Sequence, residues 1–322
     1  MNKYLQYTIT FSVSFISLYF AFSGEDLNLI ASEFKKVNLI GVFLASMILL
    51  ISCLIRAFRW KLLIEPLDKL TLKHVFSATM IGYFGNGVLA FRLGEILKSY
   101  SVSKNTNLKI SQAIGTVILE RVLDLIMVLF MSLILIPWIP NQFSQIKITL
   151  FILFSITITF ILFTITFNKI KPNFVKKYFN YFLSYDNKVV AHLKNIYDGL
   201  RVISNNKQLK SILFSSFILW SIYFFITLIV LNLCSINLRV IDAGILFVLG
   251  SLALGIPALP GSLGTYDVAV KYILIAIFSV RNHEALNYAL ISHAISYFPL
   301  TIVGAIYFIF GNVEFKNLKN IN

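Results

Sequence analysis

The chain is 322 residues long, 58% hydrophobic and 13% charged, where an ordinary soluble domain carries about 25% charged residues. Long apolar runs recur from end to end, which excludes a soluble enzyme and predicts an all-α polytopic membrane bundle filling 1–322 as one domain. The formal charge is +14, but most cations flank apolar runs, so orientation and anionic headgroups account for them and nucleic acid does not.

In chain order, Lys3 precedes an apolar run from Tyr4 to Phe22. It reads as a first span, because the run is long and Ala21-Phe-Ser23 is a poor leader-cleavage site. Val37–Ile55 is the second span. The next stretch carries Arg56, Arg59, Lys61, Lys69 and Lys73, and Lys98–Lys109 adds Lys98, Lys104 and Lys109. Cations in short loops mark the cytoplasmic face. Between them, in Val75–Leu97, lies Gly82-Tyr-Phe-Gly-Asn-Gly-Val-Leu-Ala-Phe-Arg-Leu-Gly-Glu95, with four glycines, an Arg and a Glu. A span needs roughly 20 apolar residues, and this run is too short and too broken. With both flanks on one face, it enters and leaves on the same side, which non-helical backbone tolerates only inside protein or beside a wet cavity.

Ile110–Ile136 is the third span. Pro137–Gln142, nearly uncharged and with an interfacial Trp, faces outward, and Ile148–Phe167 returns. Asn168–Lys210 holds nine Lys/Arg against two Asp, a cytoplasmic signature, with amphipathic surface helices expected around Phe179–Leu183 and Val189–Leu200. Ser211–Leu233 goes out again, Ala243–Val280 holds a second broken segment, and Leu286–Phe310 is the last span. Lys316 and Lys319 follow it, so both termini are expected in the cytoplasm. Six spans with two hairpins, or eight spans if Ala243–Val280 crosses twice, balance the sidedness equally.

The two broken segments, within 75–97 and 243–280, fall in two halves, about 1–145 and about 146–322. Gly255-Ile-Pro-Ala-Leu-Pro-Gly-Ser-Leu-Gly264 lies over Gly85–Gly94, with Gly85/Gly255, Leu89/Leu259, Leu93/Leu263 and Gly94/Gly264 in common. Interrupted segments at matching places of two inverted repeats point to a transporter's binding site. Two glycine-rich packing turns would read the same way.

Charges inside spans are costly and are functional candidates by default. Arg92 and Glu95 lie three apart, so a helix starting at Leu93 lets them pair, with the planar fork of Arg92 suited to a phosphate. Glu120, Arg121 and Asp124 set two carboxylates against one cation, which suits either a proton-coupled site or an interfacial anchor. Asp267 and Lys271 have i,i+4 spacing, as a cavity-lining acid or a plain ion pair. His293 and Tyr297 are weaker candidates in the last span. Arg56, Arg59 and Trp60 read as a cytoplasmic anchor or lipid-headgroup contact at the end of the second span. Cys53 and Cys234 form no CxxC pattern, the four histidines have no metal-ligand spacing, and no metal or other cofactor is expected. No nucleophile motif or phosphate-binding loop is present, so enzymatic activity is not indicated but stays open.

Arg56-Ala-Phe-Arg-Trp60, Gly82…Asn86…Arg92-Leu-Gly-Glu95, Glu120-Arg-Val-Leu-Asp124 and Pro260-Gly-Ser-Leu-Gly264, in this order, resemble the flippase-like family. This is the transmembrane region of lysylphosphatidylglycerol synthases and their stand-alone relatives. Ala90 stands where that family usually has Pro, and Asp267 is the displaced counterpart of its acid after Pro-Gly. The resemblance implies translocation of a phospholipid or lipid-linked saccharide across the cytoplasmic (inner) membrane. Arg92, Glu95, Asn86, Glu120, Arg121, Asp124, Asp267, Pro260 and Gly261 would meet the substrate. Membrane lipids are the implied partners, beside glycosyltransferases or other envelope-biosynthesis proteins. A membrane-embedded transferase acting on a polyprenyl-phosphate or phospholipid and a small-solute secondary transporter are the rival readings.

Overall fold

A computed structural model describes residues 19, 21–22, 27–169, 188–202, 207–255 and 260–311. Among these residues there are eleven α-helices and no strand, as expected for a polytopic helical membrane protein. In chain order they are α1 Leu27–Lys36, α2 Leu39–Ile64, α3 Leu72–Val88, α4 Gly94–Ser103, α5 Ile110–Leu135, α6 Ser144–Lys169, α7 Lys188–Arg201, α8 Leu209–Leu233, α9 Val240–Ala253, α10 Thr265–Phe278 and α11 Asn282–Phe310. Side-chain caps set two of the starts. Asn38 accepts from the N–H groups of Ile40 and Gly41 ahead of α2, and Thr71 accepts from His74 ahead of α3, satisfying donors that a helix start leaves free.

Five stretches among the described residues are long and apolar enough to cross a bilayer: 39–64, 141–159, 209–233, 260–278 and 282–310. Helix α5 is as long as α2, at 26 residues, or about 39 Å at about 1.5 Å per residue. It falls short on composition because Glu120, Arg121 and Asp124 lie within it. Outward-facing side chains such as Phe43, Phe151, Phe217 and Phe310 are large, apolar and exposed, the surface a bilayer solvates. The expected first span, 4–22, lies outside the described residues apart from Tyr19, Ala21 and Phe22, and the surface helix expected near 179–183 lies outside them entirely. The one expected near 189–200 is α7, packed on α5. The second span runs nine residues past its expected end at Ile55, to Ile64, and this extension carries Arg56, Arg59 and Trp60 inward.

The two halves correspond element by element. Leu39 opens α2 and Leu209 opens α8, 170 residues on. The 3-10 turns at Ala90–Arg92 and Pro260–Ser262 have the same separation. Inside each turn two successive residues take positive φ: Phe91 (56°) and Arg92 (55°), then Gly261 (70°) and Ser262 (63°). A pair of left-handed residues stops one helix and redirects the chain into the next. Each half therefore has a long helix, a hairpin of two shorter helices broken at a strained tip, and a second long helix.

Helices α2 and α8 run antiparallel at the centre, Arg59 beside Ser216, Arg56 beside Tyr223, and Gly41 against Leu233. The hairpin α3–α4 follows the end of α2, and α9–α10 follows the end of α8, so the hairpins enter from opposite faces. Each packs against the long helix of the other half, α3 on α11 and α9 on α5. This is the geometry of an inverted repeat. The hairpins meet where Arg92 donates to the Leu254 carbonyl, and Tyr297 Oη of α11 donates to the Gly87 carbonyl of the first hairpin at 3.1 Å. Within the first hairpin, Gly94 lies so close to α3 that a Cβ there would run into Gly82 O and Asn86 N.

Candidate substrate site between the hairpins

The charged residues that the sequence scatters over α2, α4 and α5 converge on one buried cluster. Glu120 is at its centre, 0% exposed. Its Oε1 accepts from Arg56 Nη1 at 2.8 Å, and its Oε2 accepts from Lys98 Nζ at 2.6 Å. Asp124, one turn on, accepts from Arg59 Nη2 at 2.7 Å and from Arg56 Nη1 at 3.1 Å. Arg121 ion-pairs with Glu95 at 3.2 Å and with Asp124 at 3.4 Å. Four cations thus face three carboxylates, a surplus of one positive charge before Arg92 is added.

Neutral partners complete the shell. Arg59 Nη1 donates to Ser216 Oγ at 3.1 Å and Arg56 Nε to Tyr223 Oη at 3.3 Å. The Lys98 ammonium sits 3.9 Å from the centre of the Trp60 ring, a cation–π distance. The Trp60 indole N–H donates to Thr116 Oγ1 at 3.0 Å. Desolvating this many charges is repaid only when pairing geometry is good and further hydrogen bonds take up the remaining donors, and this shell supplies both.

The cluster forms the charged wall of a cavity of about 510 Å³ between the hairpins. Arg56, Arg92, Glu95, Arg121 and Asp124 face it, three cations against two carboxylates. Its other walls are aromatic and hydroxylic, with Trp220, Tyr223 and Phe247 on one side and Tyr266, Ser292 and Ser296 on another. The indole N–H of Trp220 is buried and meets no acceptor among the described residues. The volume suits a drug-sized group, and the chemistry suits one that brings negative charge and acceptor oxygens.

Residues 7–304 match the family model described as the lysylphosphatidylglycerol synthase TM region. The chain belongs to that family. It is similar to the UPF0104 membrane protein MJ1078 of Methanocaldococcus jannaschii, 30% identical over 70% of this chain and 93% of that one. MJ1595 of the same organism, also named a UPF0104 membrane protein, is 25% identical over 94% of each chain. PH1989 of Pyrococcus horikoshii, under the same name, is 24% identical over 95% of this chain and 96% of its own. No solved structure matches.

In this member of the family the cluster holds Glu95, Glu120, Arg121 and Asp124 as a unit, with Arg92 across the cavity wall. Several expected roles change. Arg92 reaches across to the second hairpin, and Glu95 pairs with Arg121. Glu120 and Asp124 face a surplus of cations, the reverse of two acids sharing one. Arg56, Arg59 and Trp60 are buried and are no membrane-surface anchor, because the longer α2 carries them down to α5. Asn86 lies at the hairpin crossing with Oδ1 unpartnered among the described residues. Pro260 and Gly261 form the second tip, where the Tyr297 ring fills the space beside Gly261.

Asp267 is not on the cavity wall. It is buried behind it, its Oδ2 accepting the Gly264 N–H at 2.9 Å and its Oδ1 lying 2.8 Å from His293 Nδ1. Lys271 donates to the Ala21 carbonyl at 2.7 Å. Lys98 is the member of the cluster missed in the sequence. It reads there as a loop cation, yet it is one helical turn after Glu95 in an otherwise apolar stretch, and that spacing is the signal that could have found it.

Proposed function

We propose that this protein moves an anionic phospholipid or a lipid-linked saccharide across the cytoplasmic membrane, its headgroup passing through the cavity between the two hairpins. The observation that carries this reading is the net-positive charge cluster, buried among apolar helices yet open to a 510 Å³ cavity. A guanidinium fork matches phosphate oxygens two at a time, and Arg56, Arg92 and Arg121 all face the space. Opposed hairpins give two half-sites, the arrangement used for alternating access. Membership in a lipid-associated membrane family agrees with it. The exposed Lys69, Lys73 and Lys109 at the open end of the first hairpin support a cytoplasmic assignment of that face.

Both carboxylates on the cavity wall are paired with arginines. A cationic lysyl headgroup would find no free acid, so the reading favours anionic over lysyl-bearing lipids. The test is transbilayer movement in reconstituted vesicles, with fluorescent phosphatidylglycerol, phosphatidylcholine, lysyl-phosphatidylglycerol and a polyprenyl-phosphate sugar as probes. Arg92→Ala and Arg121→Ala should each slow the anionic probes at least about tenfold, the equivalent of 1.4 kcal/mol, while Phe58→Ala on the outer surface should not. If wild type moves none of the panel, the proposal fails. A probe chemically altered instead of moved would favour the transferase.

A further inference from the structure

The two halves share a backbone but not their buried charge. In the first, Lys98 on α4 is tied to Glu120 on α5. In the second, the corresponding helices α10 and α11 are tied by Asp267 and His293, 170 residues after Leu97 and Leu123. Where the first half pairs an ammonium with a carboxylate, the second pairs an imidazole with a carboxylate. Both are at least nine-tenths buried, Asp267 2% and His293 7% exposed.

The hydrogen bonds fix the arrangement. Asp267 accepts the Gly264 N–H at the hairpin tip, and as a carboxylate it presents its other oxygen as an acceptor to His293 Nδ1. Nδ1 then carries the hydrogen and Nε2 the lone pair. That Nε2 is buried and has no partner among the described residues. The rings of Tyr266 and Tyr297 stand edge-on to the imidazole, at 5.7 and 5.9 Å. Tyr266 Oη is 3.1 Å from Ser292 Oγ, and Tyr266, Ser292 and Ser296 line the cavity. The free nitrogen is therefore one ring and a pair of hydroxyls behind the substrate space.

The pair also has mechanical connections. Asp267 holds the tip of the second hairpin. His293 is one turn from Tyr297, whose hydroxyl holds the Gly87 carbonyl of the first hairpin. We propose that Asp267 and His293 form a proton-binding site that couples lipid movement to a proton gradient. This rests on the translocase reading above. One proton from the bulk solution on one side of the membrane adds to the Nε2 lone pair, turning a carboxylate–imidazole pair of charge −1 into a carboxylate–imidazolium pair of charge zero. No other bond forms or breaks, and the same proton leaves when the cavity opens to the other side. The tie between α10 and α11 differs between the two states, so the equilibrium between hairpin positions shifts.

The titratable groups facing the pair are few. Tyr266 is on its own hairpin arm and Tyr297 on its own helix, and Lys271, one turn past Asp267, is engaged with the Ala21 carbonyl. On the elements packed against α10 and α11, Glu33 of α1 pairs with Lys36, Arg56 of α2 with Glu120 and Asp124, and Asp242 of α9 with Arg239. Tyr83 of α3 and Tyr223 of α8 face the Arg56 side of the cavity.

Two experiments test it. The first reads anionic-probe movement in vesicles with and without an imposed pH gradient. The ratio of the two rates should exceed about threefold in wild type and fall to one in His293→Gln and Asp267→Asn, whatever their absolute rates. A wild-type ratio of one overturns the coupling and leaves the translocase standing. The second needs no transport, so it also decides if no lipid moves. Histidine-selective 15N NMR of the purified full chain distinguishes four histidines, and His293→Gln assigns the one of interest. The His293 signal should exchange between the neutral and imidazolium forms as the pH is varied, and Asp267→Asn should alter that exchange. A His293 signal frozen in one state at every pH at which the protein stays folded overturns the site.

Discussion

Glu120→Gln is the sharpest probe of the charge cluster. The change keeps the shape of the side chain and removes one charge. In the wild type the carboxylate, fully buried, takes Arg56 at 2.8 Å, Lys98 at 2.6 Å and Arg59 at 3.4 Å. Its loss raises the cluster's surplus from one positive charge to two, around a side chain with no exposed surface. Removing one partner of a buried ion pair costs about 3–5 kcal/mol, most of it the burden of the charge left behind. Lys98 loses the carboxylate it is paired with, so a second change, Lys98→Met, should recover part of the loss, on the order of 1–3 kcal/mol of coupling. Lys98→Met alone should cost less than Glu120→Gln, because Glu120 keeps both arginines. Cys53 and Cys234 are buried, so a thiol-reactive dye on heated, detergent-solubilised protein reports unfolding directly. At roughly 2–4 °C per kcal/mol, Glu120→Gln should melt about 10 °C lower. A shift under about 1 °C, or a double variant no better than Glu120→Gln alone, would refute the buried-cluster reasoning.

Other substitutions test the hairpins. Gly94→Ala puts a methyl group against Gly82 O and Asn86 N, both backbone atoms of α3 that cannot retreat without moving the helix. It should lower the thiol-dye melting temperature and disorder the first tip, while Ser99→Ala, further along α4, should cost less. Gly261→Ala combines positive φ with a methyl group against the Tyr297 ring, so it should cost more than the roughly 1 kcal/mol of the backbone effect alone. If Gly261→Ala melts like wild type, the tip does not hold the turn described. Tyr297→Phe removes only the bond to the Gly87 carbonyl and should cost about 1 kcal/mol, measured in the same assay.

Much of this architecture is written locally. Apolar runs set α5, α6, α8 and α11 within a few residues of their expected ends, because burial in lipid depends on composition along the chain. The tips were legible too. Gly85–Gly94 and Gly255–Gly264 mark where helices cannot continue, and the 170-residue offset between them is the offset of the whole repeat. What required the tertiary structure was the partner of each charge. Arg56 and Arg59 follow an apolar run just as surface anchors do, and the carboxylates that bury them are more than sixty residues away on α5. Lys98 stands in a cationic stretch, and only the folding of α4 back onto α3 takes it out of the loop. Asp267 and His293 are 26 residues apart on different helices, so no helical spacing could reveal them. Hydropathy is a property of a segment, and a chain of one sequence can be read for it. Charge neutralisation is a property of a pair, and the pairs here are set by how two inverted halves close on each other.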